Sequence, residues 1–159
     1  MAGSRSVEVT APTRPHVAEP AAHFDRRPRL VVDTSLLAAF LFAEEAAAEA
    51  AALLEGRAPC APALVGLELA NVAMNKIRRG AIESGQAAEV LARAERLGIE
   101  RFEVDPGEAL LLAFQYGLSA HDAAYLHLAA RLEAPLATFD ARLGQAARRH
   151  LPGDGPPRR

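Results

Sequence analysis

Short strand-like runs alternate with longer helical stretches along most of this chain, and that alternation is the pattern of a parallel sheet covered by helices. Leu30-Val31-Val32 is an apolar run ending at Asp33. A helix from Ser35 to Leu54 follows, rich in Ala, Leu and Glu and closed by Gly56. Ala58 to Ala61 is a strand candidate, and Pro62 suits the first turn of a helix running to about Arg79 and Gly80. Ser84 can cap a helix to Leu97, Ile99 to Val104 reads as a strand, and Asp105-Pro106 opens a helix that stops at Gly117. Ser119 begins a helix to about Leu132, Leu136 to Phe139 is a strand, and Ala141 to His150 is the last helix. The expected class is α/β, with a parallel central sheet of four to five strands flanked by helices.

The chain has 159 residues, half of them hydrophobic, which allows one domain with a real core. Residues 1–28, with four prolines and no apolar period, read as a flexible N-terminal extension. Residues 29–151 form the predicted domain, and 152–159, rich in Pro and Gly, read as a disordered tail. The longest apolar run, Leu36 to Ala43, is far short of the ~20 residues that cross a bilayer, so no membrane partner is expected. Residues 1–28 also lack the apolar stretch of a secretory leader. A single cysteine, Cys60, makes neither an internal disulfide nor a zinc site, and the cytoplasm is the expected compartment.

The net charge of −2 argues against bulk positive charge as a means of holding nucleic acid. Within residues 29–151 there are 12 Lys and Arg against 16 Asp and Glu, so any basic patch must be local. Three aspartates take equivalent places in the element map: Asp33 after the first strand, Asp140 after the late strand, Asp122 in the first turn of a helix. Ligand sites in open parallel sheets form beyond the carboxyl ends of the strands. A fourth carboxylate, Glu68, shares a helical face with Asn71, Asn75 and Arg78, opposite Leu69, Val72, Ala73 and Ile77.

Each acidic residue also has a local explanation. Asp33 and Asp140 can cap the helices they precede, Ser119-x-x-Asp122 is close to a capping box, and Glu68 can be a solvated helix residue. Capping leaves the second carboxylate oxygen available. If the four converge, their mutual repulsion requires a divalent cation, and an all-oxygen donor set favours Mg²⁺ or Mn²⁺ over zinc. Such a cluster suits two-metal phosphodiester hydrolysis.

In their order along the chain, Val31-Val32-Asp33-Thr34-Ser35, Leu67-Glu68-Leu69-Ala70, Leu118-Ser119-Ala120-His121-Asp122-Ala123-Ala124-Tyr125-Leu126 and Leu136-Ala137-Thr138-Phe139-Asp140 resemble PIN-domain ribonucleases of the VapC toxin type. The similarity spans about Arg29 to His150. The resemblance implies a metal-dependent endoribonuclease, the toxin of a type II toxin–antitoxin pair, acting as a homodimer on an RNA substrate and inhibited by a small cognate antitoxin protein. It implies acidic metal ligands at Asp33, Glu68, Asp122 and Asp140, with hydroxyls near them at Ser35 and Thr138. It further implies in-line attack of water on RNA phosphate, leaving 5′-phosphate and 3′-hydroxyl ends. Asp33 and Asp122 are the main ligands in that picture, and Glu68 and Asp140 act through water or hold a second ion. Lys76, Arg78, Arg79 and Arg142 are the cations nearest in sequence for holding the RNA.

An aspartyl phosphatase shares the α/β pattern but wants a second Asp two residues after Asp33, where Ser35 stands. Neither glycine-rich nucleotide-binding motif occurs. The alternative that survives is a non-cleaving PIN-like module for RNA or protein binding. His121 and His127 do not share a helical face, and Tyr125, Leu126 and Leu128 read as core or dimer packing.

Overall fold

The computed structural model describes residues 27–152. Of the expected extension over 1–28 and tail over 152–159, residues 1–26 and 153–159 lie outside the described residues. Four strands, β1 (Arg29–Val32), β2 (Ala58–Pro62), β3 (Glu100–Phe102) and β4 (Leu136–Ala137), form one sheet in the order β3-β2-β1-β4. Every pairing is parallel, with Val31 opposite both Cys60 and Leu136, and Cys60 opposite Glu100. The helices are α1 (Thr34–Leu41), α2 (Ala47–Leu54), α3 (Val65–Arg78), α4 (Ser84–Arg96), α5 (Pro106–Tyr116), α6 (Ala120–Leu132) and α7 (Ala141–His150). The chain is therefore α/β with a parallel four-stranded sheet flanked by seven helices among the described residues.

The strand order has a consequence for function. The chain winds outward from β1 through β2 to β3, then returns to add β4 on the other side of β1. The winding direction reverses between β1 and β4, and the crevice beyond the carboxyl ends at such a reversal is where open parallel sheets bind ligands. Asp33 and Thr138 stand on its two sides.

Helix α6 anchors the core: it packs on β1, β2 and β4 and on α5 and α7. Its Ala123, Ala124, Tyr125, Leu126, Leu128 and Ala129 are all buried. A helix apolar on so many sides belongs in the interior. β1 contributes Leu30, Val31 and Val32, and α1 contributes Leu36, Leu37 and Leu41.

Several element boundaries differ from those the sequence suggests: β3 is shorter than the expected Ile99–Val104, and four other differences have a visible physical cause. The helix expected over Ser35–Leu54 is two helices, with Ala43 at a left-handed φ of 53° between them. No Gly or Pro marks that break; it is held from outside by Lys76 of α3, whose ammonium pairs with Glu44 at 2.6 Å and lies over the Phe42 ring. Pro62 ends β2 instead of opening a helix, because the following Ala63 N–H donates to the Phe102 carbonyl and keeps the chain extended. Glu83, not Ser84, caps α4, through a reciprocal box with Gln86. β4 stops at Ala137, short of Phe139, because Thr138 and Phe139 turn their hydrogen bonds toward Asp33 and Ser35.

Candidate functional site

Asp33 follows β1 and is the N-cap of α1: its Oδ1 accepts from the Leu36 N–H at 3.0 Å. Two hydroxyls surround it. Ser35 Oγ donates to Asp33 at 2.7 Å, and Thr138 Oγ1 donates to Asp33 Oδ2 at 2.7 Å across the β1–β4 crevice. Both hydroxyls also accept, Ser35 from the Phe139 N–H and Thr138 from the Asp140 N–H, each at 2.9 Å. A small network thus closes the sheet's two halves around one carboxylate. Asp33 is 5% exposed, and burial pushes its carboxyl above the ordinary carboxylate range, against the hydrogen bonds from Leu36, Thr138 and Ser35 that pull it down. Those three donors are all neutral.

Glu68 lies on the face of α3 toward α1 and α6. Thr34 Oγ1 donates to Glu68 Oε2 at 2.6 Å, and the Tyr125 hydroxyl donates to the same oxygen. The Thr34 and Tyr125 hydroxyls are themselves 2.9 Å apart. Burial first, then the hydrogen-bonded Glu68 carboxylate, hold the Tyr125 phenol above its ordinary range, and the charge of Asp33 acts in the same direction. Tyr125 therefore feels both carboxylates. His121 Nδ1 stands 3.6 Å from Glu68 Oε1.

The other two aspartates are placed by their helices. Asp122 receives the Ser119 hydroxyl at 2.7 Å while its own N–H donates back to Ser119, the reciprocal start of α6. It lies one helical turn before Tyr125, on the same side of α6. Asp140 caps α7 through the Leu143 N–H at 2.8 Å, and its backbone joins the Asp33 network through Thr138. Capping and assembly at the crevice thus coexist at Asp33.

Among the described residues, no three His, Cys, Asp or Glu side chains stand close enough to hold one ion in common. The donor set, carboxylates and hydroxyls at the carboxyl edge of a parallel sheet, fits a hard, oxygen-preferring cation in its chemistry. A buried carboxylate with neutral donors around it also favours a positive charge beside it.

Two hydroxyls that the sequence does not flag, those of Thr34 and Tyr125, complete the site. Tyr125 is core by burial, as expected, yet its polar tip reaches Glu68. The signal was its spacing of three from Asp122 on one helix. Of the expected RNA-facing cations, Arg78 and Arg79 are exposed at the end of α3. Lys76 is engaged by Glu44, and Arg142 donates to the Gly117 carbonyl.

The profile of the PIN domain family matches residues 30–149, most of the chain and every element that builds this site. The chain belongs to the PIN domain family. The PIN fold is seen also in its likeness to a solved structure: the Pyrobaculum aerophilum protein PAE2754 superposes with a TM-score of 0.64 at 20% identity, covering 78% of this chain and 88% of that one. In sequence, this PIN domain is 29% identical over 122 residues to Ribonuclease VapC3 of Pyrobaculum aerophilum, covering 74% of this chain and 93% of that protein. No helix among the described residues of the PIN domain is long and apolar enough to cross a membrane.

Proposed function

We propose that this PIN-domain protein is a metal-dependent endoribonuclease that hydrolyses RNA phosphodiesters, working with Mg²⁺ or Mn²⁺ as the cytoplasmic toxin of a type II toxin–antitoxin pair. The observation that carries the reading is Asp33: a carboxylate 5% exposed, at the winding reversal of a parallel sheet, held by neutral hydroxyls from both sides of the crevice. The likeness to a protein named Ribonuclease VapC3 supports the substrate and the partner.

In this reading Asp33 and Asp122 would be the main residues holding a divalent cation, with Glu68 and Asp140 beside them. Such an ion would supply the positive charge that a phosphodiester transition state requires and would make water a better nucleophile. Ser35 and Thr138 fix the orientation of the Asp33 carboxylate, and Thr34 and Tyr125 fix that of Glu68. Arg78 and Arg79, exposed at the end of α3, would contact RNA phosphates; Lys76 and Arg142 would have to exchange Glu44 and Gly117 for the strand.

The test is cleavage of structured RNA by the purified protein. Internal cuts bearing 5′-phosphate and 3′-hydroxyl ends should form with Mg²⁺ or Mn²⁺ and disappear when the metal is removed with EDTA. RNA binding without cleavage in either metal would replace the nuclease by a non-cleaving RNA-binding module.

The homodimer has an apolar face to form on. Leu110, Leu111 and Phe114 of α5 are 64%, 65% and 91% exposed, at the i, i+1, i+4 spacing of one helical stripe. Phe114→Arg should convert a dimer to a monomer in light scattering with the melting temperature little changed. An unchanged mass would place the interface elsewhere.

A further inference from the structure

Beside the carboxylates lies a cavity of about 400 Å³ lined by Thr34, Leu64, Leu67, Glu68, Asn71, Val72 and His121. This is within the size range of small-molecule pockets and suits a single planar heterocycle. Its floor is a stripe along α3, since Leu64, Glu68 and Asn71 recur at helical spacing. Leu67, 79% exposed, stands at its rim, and His121 faces it from the start of α6. Thr34 and Glu68 belong both to this cavity and to the carboxylate network, so whatever fills it lies against the reacting strand.

The lining carries no Lys or Arg, and its one acidic side chain is Glu68. Such a wall offers a phosphate no cation. It suits instead an uncharged, flat group with hydrogen-bond donors on its edge. Unpaired bases of single-stranded RNA are held in this way, stacked on an aromatic or apolar face and read along an edge. The Asn71 amide offers a donor and an acceptor side by side, the pattern that pairs bidentately with the amino group and ring nitrogen of adenine.

Resting on the nuclease reading above, we propose that this cavity is a base-specificity pocket that receives one unpaired adenine flanking the cleaved phosphate. Asn71 reads the edge of the base. His121 and Leu67 sandwich its plane.

The test uses full-length Asp33→Asn protein, to prevent turnover, and fluorescently labelled six-nucleotide RNAs of A, C, G or U. Oligo-A should bind about tenfold more tightly than oligo-U. Asn71→Ala should erase that ratio, whereas His121→Ala should weaken all four RNAs by a similar factor, because stacking tolerates any base. Both side chains are exposed, so neither variant is expected to unfold the protein. In the background with Asp33 intact, sequenced cleavage ends should show adenine enriched at one position beside the cut, and Asn71→Ala should flatten that enrichment.

Cleavage of RNA with no base preference, or with a preference untouched by Asn71→Ala, overturns the pocket and leaves the nuclease standing. Selective binding of oligo-A with no cleavage by protein that keeps Asp33 supports the pocket and removes the nuclease reading. If the variants leave RNA binding unaltered but weaken capture of an inhibitory protein partner, the occupant is a polypeptide and the proposal falls.

Discussion

Asp33→Asn removes RNA cleavage, by roughly a thousandfold or more, while the protein stays folded. The magnitude follows from the several kcal/mol that an ion at a phosphoryl centre contributes, at about 1.4 kcal/mol per decade of rate. The fold survives because asparagine is as good an N-cap as aspartate: its carbonyl can still accept from the Leu36 N–H. The Ser35 and Thr138 hydroxyls can turn to accept from the new amide. Asp33→Ala separates the two roles. It leaves the Leu36 N–H and both hydroxyls without their acceptor and should cost about 2–3 kcal/mol of stability as well as all activity. Melting curves and RNA cleavage on the two variants check this; a large loss of melting temperature in Asp33→Asn would mean that the ionised carboxylate is structural.

The same residue gives a pH signature in metal-free protein. Burial raises the folded-state pKa of Asp33 above the ordinary 3.8, so the folded state binds a proton more tightly than the unfolded chain. Between 3.8 and the raised folded value, stability contributed by this group falls as pH rises, and it stays lost above that value. Asp33→Asn removes the titration. Its melting temperature relative to wild type should therefore rise with pH across that window. Divalent cation added to wild type should reverse the difference, because binding to the folded state alone stabilises it.

Tyr125→Phe lowers cleavage by about 10–100-fold with the ring still packed, the range expected when a group that orients a ligand is lost. The phenol is the deeper of the two donors on Glu68 Oε2, and without it the carboxylate keeps only Thr34. The stability cost should be about 1 kcal/mol, one net hydrogen bond. Leu126→Ala, the next residue on the same buried helix, should cost about 2–5 kcal/mol by leaving a cavity, yet keep its affinity for Mn²⁺. Calorimetric Mn²⁺ titration alongside thermal melts distinguishes them. Equal metal affinity in Tyr125→Phe and wild type would reduce Tyr125 to a packing residue.

Much of this was legible in one dimension. The alternation of elements, the helix starts at Asp105, Ser119 and Asp140, and the place of Asp33 after the first strand all follow from local patterns that the structure keeps. The break between α1 and α2 was not legible, because no Gly or Pro marks it and the side chain that meets its Glu44 and Phe42 is Lys76, which α3 brings in from beyond the next strand. Nor was the early end of β4, since the Phe139 N–H bonds the Ser35 hydroxyl on the far side of the crevice instead of a neighbouring strand.

The residue order by itself determined the fold class and the four carboxylates worth watching, because hydrophobic period, caps and strand ends are properties of neighbouring residues. Only tertiary structure decided that Thr138 closes on Asp33 across 105 positions, and that Tyr125 and Thr34 meet on Glu68. Those contacts depend on where the sheet reverses its winding, and side-chain partners across such a crevice are set by packing of whole elements rather than by any local preference.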